Sequence, residues 1–228
     1  MEQSGPRDGG CAEAASIAAL AQAAGFGPYF ATDAWTPDGR WQPLTDLLEP
    51  ATLDAEVRRT LAALAGDERM QPRVAASTLH LGLVARLTAP LLGAAVAAHG
   101  IPDLSADTVW WRVGAPGARP VATSPVPVLA AAPATLAAVI ERVTGPLCTG
   151  VGERYAVSRQ VLWGNVASSL AAASRVIGDR GEARALAGGA LEHGALRGTL
   201  DDAGRRRSCC LFYRVPDGGY CGDCVLTG

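Results

Sequence analysis

Residues 205–228 constrain this chain more than any other stretch. They run Arg205-Arg206-Arg207-Ser208-Cys209-Cys210, then ten residues, then Cys221-Gly222-Asp223-Cys224, and so hold four of the six cysteines. Thiols gathered this densely, in a chain with no sign of export, read as metal ligands before they read as a disulfide framework, because cytosolic reductants keep thiols free. The segment reads as the reactive centre and the residues before it as its mount.

Spacing narrows the choice of metal. Structural zinc sites use two separated pairs, each pair two to four residues apart, so that the backbone can turn around one tetrahedral ion. Only Cys221-x-x-Cys224 has that form; Cys209 and Cys210 are adjacent, and adjacent side chains tend to diverge. Four thiolates around a two-iron cluster are less constrained, because a [2Fe-2S] centre is larger and offers two ligand positions on each iron. The intervening residues suit a cluster loop: Pro216-Asp217-Gly218-Gly219 supplies a turn, the aromatics can shield sulfur from water, and Gly222 lets backbone amides come close.

Composition limits the rest. A length of 228 residues can bury a sizeable core, and a hydrophobic fraction of 49% argues against disorder. A net charge of −2 leaves no footprint for nucleic acid, although all 20 basic side chains are arginine. The start of the chain lacks a basic stretch followed by an apolar run, so no signal peptide is indicated. The most apolar stretch, 79–98, is interrupted by His80, Arg86 and Pro90 and falls short of a clean membrane span of roughly 20 residues. The expectation is a soluble cytoplasmic protein with no integral membrane span.

The pattern along the chain predicts an α+β protein with a mainly α-helical body and a small antiparallel β element. Residues 1–10 read as a disordered start, 11–204 as the body and 205–228 as the metal-binding segment. Helices are expected over 12–24, from Leu53 to Gly66, over 72–99 with a kink or break before Pro90, over 133–143 with a stop at Gly145-Pro146, over 157–177, and weakly over 180–195 with an interruption at Gly188-Gly189. Residues 108–113 read as a strand; Pro125 and Pro127 confine the extended segment 120–129 to a sheet edge or to no sheet.

Read together, Cys-Cys-x10-Cys-x-x-Cys, preceded by Arg207-Ser208 and enclosing Tyr213-Arg214 and Gly219-Tyr220, resembles the FhuF-like ferric siderophore reductases. The resemblance extends to 79–87, 103–111 and 162–168. It implies a [2Fe-2S] cluster held by Cys209, Cys210, Cys221 and Cys224 in a C-terminal cluster loop, and one-electron reduction of a ferric siderophore, hydroxamate type favoured. Siderophores cage iron with hard, often anionic oxygens that favour Fe(III), so an added electron weakens the cage. No flavin or nicotinamide fingerprint is present, so electrons should come from an external donor such as a ferredoxin or reductase. A general electron carrier, a redox or iron sensor, and a zinc-stabilised binding module are the competing readings.

Around the cysteines, Arg207, Arg214 and Tyr220 are candidates for tuning the cluster; the arginines read equally as a solvated basic patch. Trp111, Trp163 and Arg159 are candidate substrate-binding residues, although Trp110 and Trp111 should point to opposite faces of a strand, so at most one can face a cleft. His80, on a stripe with Val84, Leu87 and Leu91, reads as a hydrogen-bonded interior histidine, and Asn165 as a structural hydrogen-bonder. Cys11 and Cys148 read as free thiols.

Overall fold

The computed structural model describes residues 8–65, 69–114, 119–178 and 181–227. Its centre is the apolar segment that begins at Pro72. That proline occupies the first helical turn, where its missing N–H is harmless, and helix α1 (Asp8–Ala23), α2 (Pro50–Ala65) and the long α3 (Pro72–Ala97) meet here. Leu79, Leu83, Leu87 and Leu91 are buried as their spacing predicts, and so are Val74, Leu92 and Val96 on other faces. A helix apolar on all sides belongs in a core. Accordingly α4 (Pro133–Tyr155) and α5 (Arg159–Ile177) also pack on α3, and α6 (Gly181–Ala190) packs on α4 and α5. Among the described residues α3 is the helix long and apolar enough to cross a membrane, yet 78% of its most apolar window is buried inside the fold.

Two prolines sit inside helices, and at the second the expected stop does not occur. α3 continues through Pro90 without a break, and α4 passes Gly145-Pro146 and runs on to Tyr155. A proline inside a helix costs roughly 3 kcal/mol. Beyond Pro146, Leu147 and Val151 are 1% exposed and continue the stripe of Leu136, Ile140 and Val143; burial of each such side chain contributes roughly 1.5–3 kcal/mol, which outweighs the proline. α6 ends at Ala190, directly after Gly188-Gly189 and short of the expected 195; a Cβ on Gly189 would lie 2.8 Å from Pro133, so that glycine lets α6 cross the start of α4. α1 begins at Asp8, ahead of the expected start; residues 1–7 and the Cys11 side chain lie outside the described residues. α5 opens at Ser158, whose hydroxyl accepts from Val161 N–H at 3.3 Å.

Six short strands, β1 (Asp33–Ala34), β2 (Gln42–Pro43), β3 (Gly100–Pro102), β4 (Val109–Trp111), β5 (Val121–Thr123) and β6 (Val128–Ala130), form two sheets. One has the order β1-β5-β4-β2, with β1 parallel to β5 and the other pairs antiparallel; the second is the antiparallel pair β3-β6. This is more sheet than the expected single pair. β5 is interior, not an edge, because Pro125 and Pro127 fall between β5 and β6, outside either ladder. Trp110 and Trp111 do take opposite faces: Trp111 is 1% exposed and its Nε1 donates to Pro43 O at 3.1 Å, while half-buried Trp110 rests on Trp35 with ring centroids 5.0 Å apart.

α1 approaches α3 through Gly93, where an added Cβ would lie 2.8 Å from Ala23 Cβ and 3.0 Å from Phe30 Cδ1. Gly93→Ala should therefore cost about 1–3 kcal/mol by overpacking, despite alanine's helix preference of about 1 kcal/mol. Urea unfolding should show a lower midpoint with an unchanged slope; a midpoint at or above the original would mean that α1 moves freely to make room.

Candidate metal centre

After α6 the chain passes through short turns into a segment with little regular structure: an isolated bridge between Leu200 and Arg206 and 3-10 turns at Phe212–Arg214 and Val225–Thr227. Such a segment is placed by its tethers to the helices. Ser77 Oγ on α3 donates to Cys210 O at 2.8 Å, and Ser208 Oγ donates to Gln160 O on α5 at 2.9 Å. Gly164 makes the second approach possible, since a Cβ there would lie 2.9 Å from Ser208 Oγ.

The strongest tether is Arg206, only 2% exposed. Its backbone N–H donates to Asp223 O at 3.0 Å, its Nε lies 3.2 Å from Asp223 Oδ2, and its Nη1 donates to Asn165 Oδ1 at 2.6 Å. A buried charge without such partners would carry a desolvation penalty of several kcal/mol. The arginine also fixes the Asn165 amide: with Oδ1 accepting from Arg206, Nδ2 faces Ser77 O at 3.2 Å and His80 Nδ1 at 3.3 Å. His80 Nδ1 must then accept, which leaves the ring proton on Nε2, 3.4 Å from Cys148 Sγ. Burial, reinforced by the Arg206 charge, lowers the His80 pKa from 6.5 to about 3, and burial pushes the Cys148 thiol up to about 12. The expected interior roles of His80 and Asn165 are those observed.

The four tail cysteines are brought together. Cys210 and Cys224 are each 3% exposed, while Cys209 and Cys221 are half-buried. Cys210 Sγ and Cys221 Sγ are 3.4 Å apart, close to the separation of about 3.8 Å for two sulfurs each about 2.3 Å from one tetrahedral metal. Leu211 N–H points at Cys209 Sγ and Leu226 N–H at Cys224 Sγ, both at 3.4 Å; amide donors to sulfur stabilise thiolate and cluster charge. Leu211 takes a left-handed backbone, φ 70°, immediately after the Cys209-Cys210 pair. Burial raises the Cys209 and Cys221 thiol pKa values; at Cys221 the neighbouring Cys210 and the Asp223 charge add to the rise, and the Arg206 charge opposes it at both.

Two observations test whether this setting suits an iron–sulfur centre. Cys210 and Cys221 bring two sulfurs within 3.4 Å of each other, as ligands of one iron would be. In addition, Arg206 Nη2 is buried and has no hydrogen-bond partner. Buried donors are almost always satisfied, and an acceptor such as a cluster sulfide would satisfy this one. The residues present fit the group.

The other expected site residues are placed as follows. Arg207 is exposed and donates to Leu200 O at 3.0 Å; exposed Arg214 turns to the Tyr213 hydroxyl and to Gln71; Tyr220 is 62% exposed. The arginine whose charge reaches the sulfurs is Arg206, which the sequence pattern did not single out from its neighbours. Tyr213 and Tyr220 are exposed, and the amides donated to sulfur come from Leu211 and Leu226. Asp217 and Gly219 form the expected turn, with φ of 56° and 64°. Trp111 is a core residue, its face taken up by packing, and presents none to a ligand. Trp163 and Arg159 do meet, with the guanidinium 5.8 Å from the ring centroid, in a cleft of about 280 Å³ that also includes Cys148 but no tail residue.

A mainly helical body bearing a segment of four gathered thiols is that of a metal-binding protein. Residues 206–226 match the family described as the FhuF 2Fe-2S C-terminal domain. The matched run contains all four tail cysteines together with Arg206 and Asp223, and the helical body lies outside it. Comparison with curated proteins gives no match.

Two measurements probe the buried tether. Arg206→Met leaves Asp223 buried without its partner and should cost about 3–5 kcal/mol. Adding Asp223→Asn should recover part of that loss in urea unfolding; strictly additive losses would show that the pair is not coupled. His80 stays neutral when folded down to about pH 3 but takes up a proton near pH 6.5 when unfolded. Its contribution is therefore fully present above pH 6.5 and is lost toward pH 3, by about 1.4 kcal/mol per unit. Between pH 7 and pH 5 the urea midpoint should fall further for the native chain than for His80→Gln; equal falls would assign the pH dependence to other groups.

Proposed function

We propose that Cys209, Cys210, Cys221 and Cys224 hold a [2Fe-2S] cluster and that the protein is a cytoplasmic oxidoreductase that reduces siderophore-bound Fe(III). The observation that carries this reading is the asymmetry of the thiols: Cys210 and Cys224 are buried against the body while Cys209 and Cys221 remain half-exposed, so one side of the centre is open to an acceptor. The match of this segment to the FhuF 2Fe-2S C-terminal domain supports it. When bound, the cluster supplies one electron, which converts chelated Fe(III) to Fe(II) and is replaced from an external donor such as a ferredoxin or reductase.

The chain's own residues have separable parts in this. Arg206, its net charge offset by Asp223, still offers the unpartnered Nη2–H as a donor beside the thiols, and donors to cluster sulfur favour the more negative reduced state. Leu211 and Leu226 amides add to that stabilisation. Hard, anionic oxygens in the chelate bind Fe(II) less well than Fe(III), so iron leaves once reduced and no nucleophile or general base is needed. Hydroxamate siderophores are the favoured substrates.

Anaerobically reconstituted protein should contain two irons and two labile sulfides per chain. After reduction it should be reoxidised by a ferric hydroxamate siderophore, with Fe(II) trapped by a chelator. Each single Cys→Ser change at 209, 210, 221 or 224 should lower iron content or shift the visible spectrum, whereas Cys148→Ser should leave both unchanged. One zinc and no sulfide would point to a structural metal module; a stable cluster that exchanges electrons with proteins but never with a ferric chelate would point to a general carrier.

A further inference from the structure

A groove of about 390 Å³ opens beside Cys221. Its sides come from α3, through Leu81 and Ala85, and from α5, through Ala172, with Phe30 adding an aromatic edge. The tail closes one end with Cys221 and with the Arg206–Asp223 pair, whose charges cancel. What remains is an apolar trough carrying one uncompensated charge: Arg175, in the last turn of α5, is exposed on the groove, and no carboxylate pairs with it among the described residues. Tyr29, which also lines the groove, carries Arg86 5.4 Å from its ring centroid in a neighbouring cavity, so that cation lies outside the groove itself.

A volume of this order accommodates a small molecule or one arm of a larger one, and too little surface is enclosed to seat a protein partner. Apolar walls favour a hydrocarbon or aromatic group; the cationic rim favours a neutral or anionic ligand over a cationic one. The wall shared with Cys221 joins this surface to the thiol centre. We infer that the groove binds an apolar arm of the ferric chelate, with the oxygen-rich iron end turned toward Cys221 and Arg175. The substrate class is then a neutral or anionic ferric siderophore that carries an aliphatic or aromatic arm. This rests on the reductase reading above and specifies its substrate.

Gallium(III) forms of two hydroxamate siderophores, one with an acyl arm and one without, test binding apart from electron transfer, because gallium is not reduced under the same conditions. Calorimetry on the full chain should give affinity at least about tenfold higher for the armed chelate. Ala172→Trp, which fills the groove, should erase that preference; Arg175→Glu should weaken both chelates several-fold while preserving it. Should Ala172→Trp fail to fold, Ala85→Leu narrows the same trough with a smaller change. Equal affinity of the two chelates for the native protein, or a preference that survives in a folded groove-filling variant, overturns the assignment. Reoxidation by the matching Fe(III) chelates is scored separately. Binding without reoxidation would keep the groove and sink the reductase reading, and reoxidation with no preference for the arm would do the reverse.

Discussion

The buried ion pair between Arg206 and Asp223, completed by Asn165, is the constraint on which the arrangement of the tail depends. A segment with almost no regular secondary structure has few backbone hydrogen bonds of its own to hold it. One arginine spans the gap: it grips the second half of the tail through Asp223 and the helical body through Asn165. Both halves of the cysteine motif are thereby referred to one point on α5. Ser77 serves both parts, donating to Cys210 O and receiving the Asn165 amide through its carbonyl. The polar line from Asp223 through Arg206, Asn165 and His80 to Cys148 crosses between α3 and α4, so the packing of the thiol segment and that of the helical core are continuous.

The helical body is correspondingly specialised at its surface with the tail. α5 presents Gly164 where Ser208 must come close, Asn165 where Arg206 arrives, and small residues farther along where the groove runs. These three requirements fall on one helix because successive turns place 164, 165, 168, 169 and 172 on adjoining strips of its surface. The helix that receives the tail thus also forms a wall of the cavity that meets it.

How much of this was legible in the sequence differs from one level to the next. The cysteine spacing was plain because chemistry restricts it, and a helix such as α3 was plain because apolar residues recur along it. Pro146 misled because local propensity is visible in sequence, whereas the burial of Leu147 and Val151 that overrides it is a tertiary fact. The interior position of β5 was hidden for the same reason: the prolines nearby mark its end, and only the pairing partners reveal that both its edges are used. Among three consecutive arginines nothing local distinguishes the buried one. Arg206 is set apart by an aspartate 17 positions later and by Asn165 on α5, whose hydrogen-bonding role is readable in sequence but whose partner is not.

The order of these parts along the chain has a consequence for how the protein is made. Ser77, Gln160, Gly164 and Asn165, to which the tail is tied, all precede Cys209. Synthesis proceeds at roughly 5–20 residues per second, and early segments fold first. The ribosome therefore delivers the surface that receives the four thiols before it delivers the thiols, and the interval in which reactive sulfur hangs from an unstructured nascent chain is kept short.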